Sequence, residues 1–445
     1  MKKIHRPLLA ALLLLAGLSA NGLQAQDTAM PATAADTLAD TPADIPANAS
    51  TNATANASAN ATVSPLRHPV HRLSADVRPA YLAPTSGFFR GGNGFYQGGN
   101  NKRRRMNTFL SAHLKYGIQF DPDSRLGRLY PHTTQGIGLA VNTLFNHAEA
   151  GTPVALYAFQ SSRIARLAPR LSLDYEWNFG ASFGWKKYDE ELNPHNMVNG
   201  SRINAYINLG FFLNWRLSPR WNLTAGIEGT HFSNGNSHYP NAGVNTLGAR
   251  IGITRSFGDS PTLAKAEAAL PPRGLPFRPH VSYDLTLYGA TKIRGWVDEY
   301  GGSTLVPGSF GVAGINFNPM YNFHRVLRAG LSLDAQYDES ANLREHLAGT
   351  DEHGDPKFYR PPFKEQFNAG VSARLELVMP VFSINFGVGY HLLHKGKDTK
   401  GWYQVLALKT SLTRNLYLHT GYQLQNFHDP NHLMLGLGWR FNDRR

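Results

Sequence analysis

The chain has 445 residues and no cysteine, which is too long for one small soluble domain and excludes a disulfide scaffold, thiolate metal sites and thiol catalysis. Hydrophobic residues make up 42% and mean hydropathy is −0.33. Past the N-terminus there is no run of about 18 apolar residues, so a helical membrane protein is excluded while a transmembrane β-barrel, with its alternating strands, is not. A net charge of +13, from 44 Lys+Arg against 31 Asp+Glu, points to a polyanionic partner, either nucleic acid or a phosphorylated lipid surface.

In chain order, Lys2, Lys3 and Arg6 precede the apolar run Leu8 to Leu15, and small or polar residues follow to Ala25. This is the order of a secretory signal peptide, residues 1–25, and export argues against nucleic acid as a partner. Residues 26–75 are expected to be a disordered, low-complexity periplasmic segment, because their Ala, Thr, Asn, Asp, Ser and Pro offer little to bury. The basic run Lys102 to Arg105 precedes a strand on the inferred periplasmic side and reads as solvated or lipid-facing charge.

From about residue 76 the pattern alternates with period two. Leu171, Leu173, Tyr175, Trp177, Phe179, Ala181, Phe183 and Trp185 share one face, and Ser172, Asp174, Glu176, Asn178, Gly180, Ser182 and Gly184 the other. Ile203 to Trp215 repeats this before the turn Leu217-Ser218-Pro219-Arg220, and the last strand presents Leu433, Leu435, Leu437, Trp439 and Phe441 on one face. Long one-sided strands with aromatics toward their ends predict an all-β, antiparallel transmembrane barrel rather than a secreted sandwich. About eight strands fall in residues 76–257 and about eight in 276–445, joined by a Pro-rich connection at 258–275. The expected architecture is one barrel of 14–16 strands, with two eight-stranded barrels as the alternative. Lumen residues such as Asp174, Glu176 and Asn178 would line a pore or plug it.

The strand after the Ser218-Pro219 turn carries the chemically distinctive motif. Trp221, Leu223, Ala225, Ile227, Gly229, His231 and Ser233 form its lipid-facing row, and Glu228 falls on the opposite face. An imidazole and a hydroxyl two residues apart on one strand lie on the same face, close enough for the base to reach the hydroxyl. On the next strand Asn245 begins the lipid-facing row Asn245, Leu247, Ala249, Ile251 and Ile253, where it can orient His231. Ser233, His231 and Asn245 therefore form a candidate triad opening onto membrane, whose natural substrate is a lipid. The spacing of His231 and His238 matches no zinc pattern, so no metal and no cofactor is expected. The cluster Phe427-His428-Asp429-Pro430-Asn431-His432 reads as a hairpin loop.

The stretch His231-Phe232-Ser233-Asn234, followed by Pro240-Asn241-Ala242-Gly243-Val244-Asn245, resembles the signature of the lipid A 3-O-deacylase (PagL-like, acyloxyacyl hydrolase) family. Asn193-Pro194-His195-Asn196 and Asn204-Ala205-Tyr206-Ile207-Asn208 resemble its Bacteroidota branch. The resemblance covers about 76–257; the second half shows barrel character alone. It implies an outer-membrane esterase acting on lipid A or lipopolysaccharide, with His231 as general base, Ser233 as nucleophile, and Asn234, Gly235 or Asn241 as oxyanion or positioning groups. Asn245 stands where the family's best-known members have Glu; an amide oxygen can still accept the imidazole N–H, as in Cys-His-Asn triads. Lys186, Lys187 and Arg202, flanking the loop 188–200, are candidates for holding the lipid phosphates or simply solvated charges. Two other functions fit the same residues: an outer-membrane phospholipase or acyltransferase, and a non-enzymatic porin-like barrel.

Overall fold

The computed structural model describes residues 68–91, 105–269, 277–297, 303–352, 356–427 and 429–444. The expected signal peptide, most of the low-complexity segment, Lys102 to Arg104 and His428 lie outside the described residues. No described helix is long and apolar enough to cross a membrane.

The alternating segments form β1 (Val70–Leu82), β2 (Thr108–Gln119), β3 (Thr133–Thr143), β4 (Gly151–Ala168), β5 (Leu171–Trp185), β6 (Ile203–Arg216), β7 (Trp221–Ser233) and β8 (Val244–Phe257). The second half contributes β9 (His280–Lys292), a short hairpin of β10 (Gly295–Val297) and β11 (Ser303–Leu305), then β12 (Phe310–Asn322) and β13 (Leu327–Asp338). A second hairpin of β14 (Leu347–Thr350) and β15 (Pro356–Phe358) precedes β16 (Phe367–Val378), β17 (Phe382–Leu393), β18 (Trp402–Ser411), β19 (Leu416–Gln425) and β20 (Asp429–Phe441).

These strands close into two barrels, which corrects the single barrel of 14–16 strands and selects the alternative. β8 pairs back onto β1, with Ala75 opposite Ile253, and β20 pairs back onto β9, with Leu437 opposite Leu287. The inward rows give the physical reason. An eight-stranded barrel is just wide enough for side chains to fill it, whereas 16 to 18 strands leave an aqueous channel of roughly porin width. Here the inward charges need one another at contact distance. In the first lumen Glu176 accepts from Lys115 at 2.8 Å and Arg250 at 3.1 Å, and Arg78 pairs with Glu228 at 2.8 Å and with Asp76. In the second, Asp284 and Glu376 are shared among Arg328, Lys409 and Arg440. Asp174, Glu176 and Asn178 are buried, so they plug the lumen rather than line a pore.

Other boundaries shift. Residues 70–75, expected in the disordered segment, are part of β1, where Leu73 and Val77 face outward like the rest of that row. Pro79 is accommodated because the β1–β8 ladder skips from Val77 to Ala80, where its missing N–H is not needed. The connection after β8 is not simply Pro-rich: Ser260–Ala268 is a helix, N-capped by Asp259, whose carboxylate accepts from Thr262 N at 2.8 Å. Leu263 and Ala266 pack on Val70, and Glu267 pairs with Arg163 at 3.2 Å, laying the helix across the base of the first barrel. His432 is buried within β20 rather than in a loop. Arg105, the last residue of the basic run, leads into β2 at the end opposite the Ser218-Pro219 turn, which is not the side expected.

Outward side chains form the apolar belt that a bilayer requires. Leu114, Ile137, Leu139, Val141, Leu209, Phe211, Leu213, Ile227, Ile251, Leu287, Leu331 and Leu437 are all exposed. Trp215, Trp221, Phe257, Trp439 and Phe441 ring the end that carries the short turns. The barrels touch laterally through Trp177 against Phe382, ring edge to face at 5.2 Å, and through Phe120 with Val381.

Candidate active site

β7 ends in the alternation His231 outward, Phe232 inward, Ser233 outward. Phe232 is fully buried and packs on Phe109, Trp185 and Tyr206 at ring separations of 5.9, 5.2 and 5.2 Å. Phe88 and Phe89, on the short helix Gly87–Arg90, join the same apolar layer and cap this end of the lumen. Burying such an aromatic is worth about 1.5–3 kcal/mol, so the strand is pinned between the two polar residues it presents. Glu228 lies inside, on Arg78, and takes no part in the outward face.

His231 and Ser233 are half-buried on the outward row, as the alternation predicts. Ser233 Oγ lies 2.9 Å from His231 Nε2. Asn245 is the direct cross-strand partner of His231 on β8, and its Oδ1 is 2.6 Å from His231 Nδ1. Because an amide oxygen only accepts, Nδ1 carries the proton and Nε2 is left to accept the serine hydroxyl hydrogen. That is the tautomer in which imidazole acts as a base toward Ser233.

The loop 234–243 is held by its own amides. Asn241 Oδ1 accepts from the Asn234 N–H at 3.0 Å, Asn241 Nδ2 donates to Asn236 Oδ1 at 3.0 Å, and Asn234 is buried beneath. Asn234 and Asn241 thus spend their polar groups on loop geometry. Gly235 has φ +62, and a Cβ there would come within 2.4 Å of Leu433 of the second barrel, so the loop turns against β20 only with glycine.

Three contributors were given no role by the sequence. Gly243, at φ +70, lies against the imidazole, where a Cβ would be 3.3 Å from His231 Cε1. Thr85 Oγ1 holds the Gly243 carbonyl at 3.0 Å from 158 residues away. Asn431 accepts from Asn236 Nδ2 at 3.3 Å through its carbonyl, tying the second barrel to the loop. Phe232, to which the sequence assigned no role, is inward as the strand alternation places it, between two outward residues.

The remaining candidates are apart from the triad. Asn193 and Asn196 donate to the carbonyls of Glu149, Lys186 and Lys187 and so fold the loop 186–202; Asn204 and Asn208 are buried in the lumen. In that loop Asp189 accepts from the backbone N–H groups of Leu192 and Glu191, which lower its pKa. Lys186, Lys187 and Arg202 are exposed at the same end as Ser233. His238 has Ser237 Oγ 3.1 Å from its Nδ1.

Two family models match the chain. Residues 110–254 match lipid A 3-O-deacylase (PagL), and residues 281–443 match the C-terminal domain of acyloxyacyl hydrolase, PagL_C; together they span more than half of the sequence. The chain belongs to the PagL-like family. Lipid A deacylation is therefore the activity its family carries, and the second barrel, of which the sequence showed only barrel character, belongs to the family's architecture as well. No curated protein matches. Among solved structures, Neisserial surface protein A is 8% identical, with a TM-score of 0.26, covering 42% of this chain and 96% of its own. A Rh. blastica porin mutant is 8% identical, with a TM-score of 0.15, covering 84% and 100%.

Proposed function

We propose that this chain is an outer-membrane esterase that hydrolyses the 3-O-linked hydroxyacyl chain of lipid A, with Ser233 as nucleophile, His231 as general base and Asn245 as the group that orients the imidazole. The observation that carries this reading is the bonded Ser233–His231–Asn245 row on the outward, membrane-belt face of a closed barrel. An enzyme for soluble substrates would gain nothing by aiming its nucleophile at lipid.

Ser233 Oγ attacks the acyl carbonyl while Nε2 of His231 takes its proton; the same nitrogen then returns the proton to the departing sugar oxygen, and water cleaves the acyl-enzyme. Asn234 N–H is bonded to Asn241, and we assign the oxyanion donor to the neighbouring Gly235 N–H. Lys186, Lys187 and Arg202, exposed at this end, are placed to meet lipid phosphates. The apolar belt and the leader-like N-terminus support the outer membrane as the location.

Expression in cells with fully acylated lipid A tests the reading. Lipid A mass spectra are expected to lose the mass of one hydroxyacyl chain. Unchanged lipid A with altered phospholipid would replace the proposal with a phospholipase, and unchanged lipids of both kinds would remove the enzyme.

Asn245→Leu is expected to lower kcat about 10- to 100-fold with little change in KM, because the ring loses the acceptor that fixes its tautomer. Asn245→Glu should keep or raise kcat, since a carboxylate also stabilises the imidazolium. Equal rates for Asn245→Leu and wild type, measured on purified protein in mixed micelles, would show that another group orients His231.

A further inference from the structure

We propose that the mouth of the second barrel, at the end that carries Ser233, binds a saccharide, and that this saccharide is the sugar headgroup of the lipid whose acyl chain reaches Ser233. The inference rests on the deacylase reading and adds a binding site to it.

A cavity of about 420 Å³ opens there, in the lower part of the range typical of small-molecule sites. Its lining is mostly polar, which makes it unfit for an acyl chain. Among the lining residues, Asn368 Nδ2 and Thr399 Oγ1 are buried without a hydrogen-bond partner in the protein, and His391 Nδ1 and Gln425 Oε1 have at most one another, on residues that are 1%, 6%, 4% and 7% exposed. Leaving such groups unpaired is costly, so a cavity lined by them is built for a polar occupant. The set includes a donor, an acceptor and a hydroxyl that does both. Three of the cations that line the cavity are already paired with acids, Lys292 with Asp338 at 2.5 Å, Arg294 with Asp398 at 2.6 Å and Lys397 with Glu345 at 3.8 Å, so the mouth is not arranged around an anion. Sugar hydroxyls donate and accept, which satisfies this mixed set of donors and acceptors.

Hydrogen bonds run unbroken from this cavity to the catalytic loop. Lys292 Nζ donates to Asn431 Oδ1 at 3.0 Å, Asn236 Nδ2 donates to the Asn431 carbonyl, Asn241 bonds Asn236, and Asn241 also holds the N–H of Asn234, next to Ser233. Gly295, which lines the cavity, carries the ring of Tyr239 from the same loop on its surface. The second barrel has no dyad of its own at the equivalent place: the seventh strand, β19, ends Leu424-Gln425 where β7 ends Phe232-Ser233. Binding is the role left to it.

The test uses purified full-length protein in detergent and the fully deacylated oligosaccharide of lipopolysaccharide, which cannot be hydrolysed, titrated by calorimetry. Saturable binding is expected to wild type and equally to Ser233→Ala. Asn368→Leu and Thr399→Val are each expected to weaken it about tenfold and to raise KM for deacylation by a similar factor while kcat holds. Heat-modified electrophoretic mobility identifies any variant that fails to fold, and the other variant then carries the test. No binding to folded wild type, or unchanged KM in both variants, overturns the cavity proposal even where acyl release is intact. Maltose or lactose binding as tightly as the oligosaccharide overturns the headgroup assignment in favour of a free sugar. Oligosaccharide binding without any acyl release would instead remove the deacylase reading alone.

Discussion

Ser233→Ala is expected to lower kcat for acyl release by about 10⁴- to 10⁶-fold, and His231→Ala to reach nearly the same floor. The two act as one unit, because the hydroxyl is a poor nucleophile until its proton moves across the 2.9 Å contact to Nε2. The double variant should therefore be little worse than either single one, in contrast to the multiplied losses expected of independent groups. Both side chains are half-buried and point away from the lumen, so truncating them should change stability by less than about 1 kcal/mol. Initial rates with lipid A in mixed micelles, alongside heat-modified mobility as a control for folding, give the measurement. Rates within tenfold of wild type for folded Ser233→Ala would sink the nucleophile assignment. Losses that multiply in the double variant would instead separate the roles of the two residues.

The sequence made this face of β7 legible because strand periodicity is local: placing Trp221 and Ile227 in lipid forces His231 and Ser233 outward with them. It also placed Asn245, since the row beginning there runs through Leu247, Ile251 and Ile253. Barrel closure was not legible in the same way. Sixteen alternating strands read alike whether β8 pairs with β1 or β9, and the choice is made by contacts such as Arg78 with Glu176 and Arg250 with Glu176, 98 and 74 residues apart. The roles of Asn234 and Asn241 were similarly hidden. An amide in a loop can serve an oxyanion or another amide, and only the turn geometry decides that Asn241 closes onto Asn234. Arg105 falls at the Ser233 end because β1, Val70–Leu82, is a full strand that carries the chain there from the short-turn end before β2 begins.

The second large effect concerns the lumen of the second barrel. Glu376→Leu is expected to destabilise it by about 3–5 kcal/mol. Glu376 and Asp284 are both fully buried and pair with Arg328, Lys409 and Arg440, the last of which also reaches Asp443 at 3.5 Å. Removing one carboxylate leaves three guanidinium or ammonium groups around the other, in a space too narrow for water to replace it. Adding Lys409→Met to Glu376→Leu should recover part of the loss, because it removes a cation along with the acid, and coupling between contacting groups is typically about 0.5–3 kcal/mol. Urea unfolding in lipid vesicles, followed by tryptophan fluorescence, measures both. Acyl release at temperatures where the variant stays folded should be near wild type in kcat, since the first lumen is neutralised by its own set, with Glu176 shared by Lys115 and Arg250. Unchanged stability in Glu376→Leu would mean that this lumen admits water, and with it the argument for two closed, side-chain-filled barrels over an open channel would fail. A stability loss that the second substitution leaves wholly uncorrected would place the cost in lost packing rather than in unbalanced charge.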